Sequence, residues 1–392
     1  MMKNHWLLPE GIEEILPPEA ARIEDLCRRI IDLHQSWGYE LVIPPMIEFL
    51  ESLLTGTGED LDLKTFKLTD QLSGRMMGIR ADTTPQVARI DAHKLKRNVP
   101  TRLCYLGTVL HTRPETHGGS RAPLQAGAEL YGHRGVESDA EVLCLMLETL
   151  AVAGVRDIHV DLGHVGIYQG IADQAGLTPE QEIELFDILQ RKAGAELKAL
   201  IKSWSLPAKT GKMLDYLIHA NGDARIFREA AGQLTTAGAK VKTCLNELQA
   251  IAQLVQKRIP DAPLYFDLAE LRGYHYHTGL VFAAYVPGTG QGIAFGGRYD
   301  DIGRAFGRAR PATGFSLDIK TLLAASSLPV EDRSAIFAPA KNDPALQKMI
   351  TKLRRGGHVV ITELPGQKGS AKEMGCDRKL ALRAGKWTVV KL

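Results

Sequence analysis

A chain of 392 residues with 44% hydrophobic and 24% charged residues is long enough for one large domain plus one or two smaller units. Its net charge of +2 hides an uneven split, because residues 331–392 hold 13 Lys/Arg against 6 Asp/Glu and the remainder is net acidic. No apolar run approaches the ~20 residues of a membrane helix. Glu10, Glu13 and Glu14 break the stretch that a secretory signal would keep apolar, so a cytoplasmic chain without membrane association is expected. Cys27, Cys104, Cys144, Cys244 and Cys376 are odd in number, far apart and never in a CxxC pair. That pattern favours buried thiols over a disulfide framework or a zinc site, and no metal is expected.

In chain order, residues 18–37 predict an amphipathic helix through Ile23, Leu26, Ile30, Ile31 and Leu33, stopped by Gly38 before a strand and Pro44-Pro45. FKLTD, RMMGIR, LCYLGTVLHT and PLQAGAELYGH are short β-rich segments separated by turn residues, which predicts a mainly antiparallel sheet. TTPQVARIDAHKL reads as a helix between two of them. SDAEVLCLMLETLAVAGV reads as a helix and DIHVDLGHV as a strand. Thr178 and Gln181 form a capping box that opens a helix, and residues 178–258 read as an all-helical insertion before the sheet resumes at PLYFDLAEL. The domain reading is therefore a main body over 1–325, a linker SSLPVEDR, and a small basic α/β unit over 326–392 that runs strand, helix, strand, helix, strand. Its charge suits RNA, an acidic protein partner or a plain solvated face.

Three clusters carry polar chemistry. Asp82, Thr83 and Thr84 stand just before a helix, where they fit either an N-cap or a ligand site. Gln125 and Glu129 are evenly spaced, so on a strand they share one face, either of a pocket or of a solvated sheet. Arg272, Tyr276, His277 and Arg298 lie among glycines and strand formers. Arg272 could clamp a carboxylate and Tyr276 either line a pocket or fill the core. A zwitterion with a two-ended ring needs a carboxylate for its ammonium, a guanidinium for its carboxylate and an acceptor for its ring; Asp82, Arg272 and Glu129 are that set. P-loop, GxGxxG, HExxH and GxSxG patterns are missing from the sequence.

The helix, strand and Pro44-Pro45 order, the GTVLHTRPETHGGSRAPLQAGAELYGH block and the GFSLDIKTLL segment resemble motifs 1, 2 and 3 of class II aminoacyl-tRNA synthetases. LRGYHYHTG resembles the histidine-binding segment of histidyl-tRNA synthetases, and the likeness spans about residues 8–325. It implies an α+β fold with an antiparallel sheet flanked by helices, and a homodimer through the motif 1 region. It also implies a histidine site of Asp82, Thr84, Gln125, Glu129, Arg272, Tyr276 and His277. In that site Asp82 and Thr84 would take the ammonium, Gln125 the backbone end, and Glu129 an imidazole N–H. The departures are specific. Leu110, or His111 in a second alignment, stands where motif 2 carries an arginine, and Thr321 stands where motif 3 carries one, while Arg121 is retained. Tyr276 beside His277 replaces two adjacent tyrosines, and a full-length anticodon-binding domain is lacking.

These departures resemble the regulatory subunits of ATP phosphoribosyltransferase, synthetase paralogues that join a short catalytic subunit in the first step of histidine biosynthesis. That likeness implies a non-catalytic chain without cofactor or tRNA, which activates the partner and takes L-histidine as effector. The alternatives are a divergent histidyl-tRNA synthetase using ATP and Mg²⁺, and an independent histidine-binding module.

Overall fold

The structure, a computed structural model, describes residues 6–56, 59–114, 119–273, 276–329 and 334–392. It divides into two compact units, 1–328 and 329–392.

The first unit begins with α1 (Glu19–Ser36), whose Ile23, Leu26 and Ile30 are buried as their spacing predicts. The short β1 (Glu40–Leu41) and β2 (Ile47–Phe49) follow, then α2 (Leu50–Leu54), α3 (Glu59–Lys64), β3 (Phe66–Thr69) and β4 (Met76–Ile79). The helix expected over TTPQVARIDAHKL is α4 (Thr84–Arg89), and it continues as a π-turn over Ile90–Leu95. Next come β5 (Thr101–Thr108), β6 (Leu124–Tyr131), α5 (Val136–Val152), β7 (His159–His164) and α6 (Val165–Ala175). The insertion holds α7 (Pro179–Gln190), α8 (Gly194–Ser203), α9 (Ala208–Leu217), α10 (Ile226–Gln233) and α11 (Ala239–Arg258). Thr178 and Gln181 do form the capping box of α7. The insertion is not wholly helical: β8 (Asn221–Gly222) pairs with β9 (Leu264–Asp267), because Asn221-Gly222 is a poor helix former and the sheet edge offers it hydrogen bonds. β10 (Leu280–Tyr285), β11 (Gly292–Arg298), β12 (Ala312–Asp318) and α12 (Ile319–Ala324) complete the unit.

Nine strands form one sheet in the order β1-β5-β6-β12-β11-β10-β7-β9-β8. Its centre is antiparallel as expected, while β1 on β5 and β7 on β9 are parallel, which makes the whole sheet mixed. Alternation along β6 sets the two faces. Ala126, Ala128 and Leu130 enter the main core with Leu143, Leu145 and Leu150 of α5. Each fully buried Leu contributes roughly 1.5–3 kcal/mol. Gln125, Gly127, Glu129 and Tyr131 consequently face the other side, where Tyr105, Tyr131, Tyr299, Val87 and Ile302 build a second, smaller core.

The second unit has β13 (Ala335–Ala338), α13 (Pro344–Arg355), β14 (Val360–Thr362), β15 (Cys376–Arg383) and β16 (Lys386–Lys391). The expected second helix is absent among the described residues, and β15 and β16 form a hairpin in its place. Ala384 and Gly385, at φ 46° and 76°, make its two-residue turn, the left-handed geometry that matches strand twist. Ile336, Leu346, Ile350, Leu380 and Trp387 form this unit's own core. Residues 330–333 of the expected linker lie outside the described residues.

Candidate functional site

Register brings the predicted polar residues together on the open face of the sheet. β6 pairs with β5 so that Glu129 faces Leu103 and Gln125 faces Gly107, and with β12 so that Glu129 faces Gly314. A Cβ at Gly314 would lie 1.5 Å from Glu129 Oε2, and one at Gly127 would lie 2.4 Å from the Tyr105 hydroxyl. The Glu129 and Tyr105 side chains thus lie over backbone that only glycine permits.

Asp82 Oδ1 accepts the Gln125 amide at 2.8 Å and the Thr84 backbone N–H at 3.1 Å, and Thr83 N donates to Gln125 Oε1 at 3.0 Å. Asp82 therefore does part of a cap's work and also lines a cleft. The Thr84 hydroxyl lies 3.1 Å from that of Tyr105, which donates to Glu129 Oε1 at 3.2 Å. Tyr299 donates to Glu129 Oε2. Burial pushes the Glu129 carboxyl up to about 8, and the Asp82 charge adds to the rise against the pull of the two tyrosine hydroxyls. At neutral pH this carboxyl holds its proton.

Tyr276 stacks on Tyr299 at 5.1 Å between centroids, with its buried hydroxyl without a partner among the described residues. Its position serves both readings left open by the sequence, since it packs against the small core and presents a polar atom there. The His277 ring meets that of Tyr276 edge-on at 5.4 Å. Burial lowers its pKa to about 4, and Nδ1–H donates to the Gly273 carbonyl at 3.1 Å, which leaves Nε2 as an acceptor. Tyr274 and His275 of the same segment lie outside the described residues.

Arg272 stands apart from this network. Its guanidinium lies over Phe295 at 5.4 Å and Tyr285 at 5.6 Å, and 3.9 Å from Glu270. Phe295 also lines the cleft that contains Asp82 and Gln125, so Arg272 is placed beside the cleft by a cation–π contact. Arg298 does not join the pocket either. It is buried against Asp139 and Asp300 at 3.0 and 3.1 Å, a structural ion pair on the helix-covered face. Tyr105 and Tyr299, which hold Glu129, were not singled out from the sequence. Tyr105 lies within β5 and Tyr299 just past the end of β11, so only strand register brings them to Glu129.

The cleft has a volume of about 330 Å³ and runs past His111 to Asp318 and Thr321. Asp318 caps α12: its carboxylate accepts from Lys320 N, Thr321 N and the Thr321 hydroxyl, the last at 2.8 Å, and from Leu124 N at 2.9 Å. Where a nucleotide-binding cleft would present a cation, this one presents a carboxylate and a hydroxyl. Arg121 is retained but committed, since it donates to the His111 and Glu10 carbonyls at 3.0 and 3.1 Å. Lys64 is the one Lys or Arg among the described lining residues, against Asp82 and Asp318, a charge balance that disfavours a triphosphate. Residues 115–118 of the motif 2 loop lie outside the described residues.

The family profile described as histidyl-tRNA synthetase matches residues 11–322, and that of the ATP phosphoribosyltransferase subunit HisZ C-terminal domain matches residues 333–390. An ATP phosphoribosyltransferase regulatory subunit from Thioalkalivibrio sulfidiphilus is 60% identical over 391 residues, covering 99% of both chains. The chain belongs to the ATP phosphoribosyltransferase regulatory subunit family. A family member from Pseudomonas aeruginosa is 56% identical, over 99% of this chain and 98% of its own. Among solved structures, an ATP phosphoribosyltransferase regulatory subunit/histidyl-tRNA synthetase from Bacillus halodurans superposes with TM-score 0.85 at 27% identity, covering 94% of this chain and 96% of its own. A histidyl-tRNA synthetase from Nostoc, at TM-score 0.82 and 18% identity over 99% and 97% of the two chains, shares the fold. Family membership thus accounts for the synthetase-like body.

Proposed function

We propose that this chain is the regulatory subunit of a cytoplasmic ATP phosphoribosyltransferase, which binds and activates a short catalytic subunit and carries the feedback signal of L-histidine. The observation that carries this reading is the contrast between the two ends of the cleft. At one end Asp82 and Gln125 line the cleft and connect through Thr84 and Tyr105 to the buried Glu129, a polar network suited to a free amino acid. At the other, Asp318 and Thr321 occupy the place of a phosphate clamp. Histidine's ammonium meets Asp82, its ring meets Glu129, and its carboxylate meets Arg272 at the cleft's edge. The charge-assisted hydrogen bonds, at Asp82 and Arg272, are worth roughly 1.5–3 kcal/mol each before ordering costs. The chain neither activates histidine nor selects a tRNA, and pairs with a second copy through the segment around Pro44-Pro45.

Reconstituting the complex and measuring phosphoribosyl-ATP formation against histidine tests the reading. The Asp82→Asn chain should activate the partner as the parent does while moving the histidine inhibition midpoint roughly 5- to 150-fold upward. Unchanged inhibition with a mutant pocket shown by calorimetry to be empty would place the sensor on the catalytic subunit. The rival reading, an active synthetase, requires histidine-dependent ATP–pyrophosphate exchange by the isolated chain.

A further inference from the structure

A second cleft, of about 460 Å³, opens on the helix-covered face of the sheet and brings together His164, Cys244 and Glu247. His164 ends β7, while Cys244 and Glu247 lie one turn apart on α11, so no local spacing announces the group in the sequence. One nitrogen, sulfur or oxygen atom from each lies within 4.8 Å of the other two. His164 Nε2 is 3.3 Å from Glu247 Oε2, close to the ~3.4 Å between two ligands bound about 2.0–2.1 Å from a tetrahedral zinc ion. His164 and Cys244 are 5% and 6% exposed, whereas Glu247 reaches solvent. Two cations lining the same cleft are already paired, Arg298 with Asp139 and Asp300 and Lys240 with Asp173 at 2.8 Å. Arg134 is exposed, where water screens it.

We propose that His164, Cys244 and Glu247 form a binding site for a divalent transition-metal ion of the zinc type, with a fourth position open to the cleft. One imidazole, one thiolate and one carboxylate form a borderline-soft donor set that suits zinc or cobalt over magnesium or calcium. His164 Nδ1 now accepts the Gly166 amide at 3.1 Å, which caps α6 and puts the ring proton on Nε2, toward Glu247. Metal bound at Nε2 moves that proton to Nδ1, which breaks the bond from the buried Gly166 amide. The Cys244 thiol gives its proton to solvent on binding. Loss of the cap bond keeps the affinity below that of a closed four-ligand structural site. The bound ion ties α11 to the junction of β7 and α6.

Cobalt(II) titrated into the full-length chain tests this, because a thiolate–cobalt bond absorbs in the near ultraviolet and tetrahedral cobalt in the visible. The expected result is saturation at one ion per chain, displacement by zinc, and loss of the thiolate band in Cys244→Ser but not in Cys376→Ser. Glu247→Gln, at a half-exposed position that leaves the fold intact by circular dichroism, should weaken binding roughly 10-fold or more. Absence of a thiolate band, its survival in Cys244→Ser, or parental affinity in Glu247→Gln overturns the assignment.

Discussion

Glu129 concentrates the chemistry of this molecule in one side chain. It is 1% exposed, receives two tyrosine hydroxyls, and has its carboxyl pushed up to about 8 chiefly by burial. In the unfolded chain the same group titrates near the usual ~4.3. Between those values the folded state holds a proton that the unfolded state has lost, so this group's contribution to stability declines as pH rises through that window and levels off above about 8. His277 and His34 act oppositely at the acid end. Burial lowers both to about 4, so their contribution is complete above the ordinary histidine value of ~6.5 and declines as pH falls below it. Glu129→Gln keeps a side chain of the same shape and removes only the titration. Its thermal midpoint should therefore fall less than the parent's between pH 6.5 and 8; parallel curves for the two proteins would mean that Glu129 is already ionised in the fold.

At the scale of single elements, two local devices make separable contributions. Thr178 accepts from Gln181 N at 3.3 Å while Gln181 Oε1 accepts from Thr178 N at 2.9 Å, so both free amides at the start of α7 are satisfied. Thr178→Ala should cost about 0.5–2 kcal/mol, read as a shift in urea midpoint with unchanged slope. In the second unit, Ala384 holds a left-handed φ of 46° in the β15–β16 turn, which costs an alanine roughly 1–2 kcal/mol. Ala384→Asn should raise the stability of this unit by up to about 1 kcal/mol, because asparagine tolerates that geometry. Protection of the β15–β16 amides from hydrogen exchange reports the change. The sequence reading of this unit as strand, helix, strand, helix, strand misses this hairpin, although KLALRAGKWTVV alternates and carries the Ala384-Gly385 turn.

For the molecule as a whole, one exposed surface stands out. Ile43 is 82% exposed, Met46 41% and Ile47 42%, next to the two-residue edge strand β1. Consecutive apolar side chains left to water beside a sheet edge are a docking surface or an aggregation hazard. The homodimer proposed through this segment would cover them. Ile43→Asp should leave circular dichroism unchanged and convert the chain to a monomer by sedimentation, and a dimer that persists would place the contact elsewhere.

The sequence by itself determined the family, the element types over most of the chain, and the shared face of Gln125 and Glu129, since a period of two along one strand needs no partner to define it. By resemblance it also put Leu110 or His111, and Thr321, where motifs 2 and 3 carry arginines, since those letters can be read directly. Only the tertiary structure decided which side chains surround Glu129. Tyr105 and Tyr299 arrive through β5–β6 pairing and the end of β11, contacts 24 and 170 residues apart in the chain. It likewise turned Arg272 onto Phe295 and Tyr285, committed Arg121 to backbone carbonyls, and gathered His164 from the end of β7 with Cys244 and Glu247 from α11. Each of these depends on long-range register and packing, and periodicity along a chain carries information about its own faces but not about what comes to lie against them.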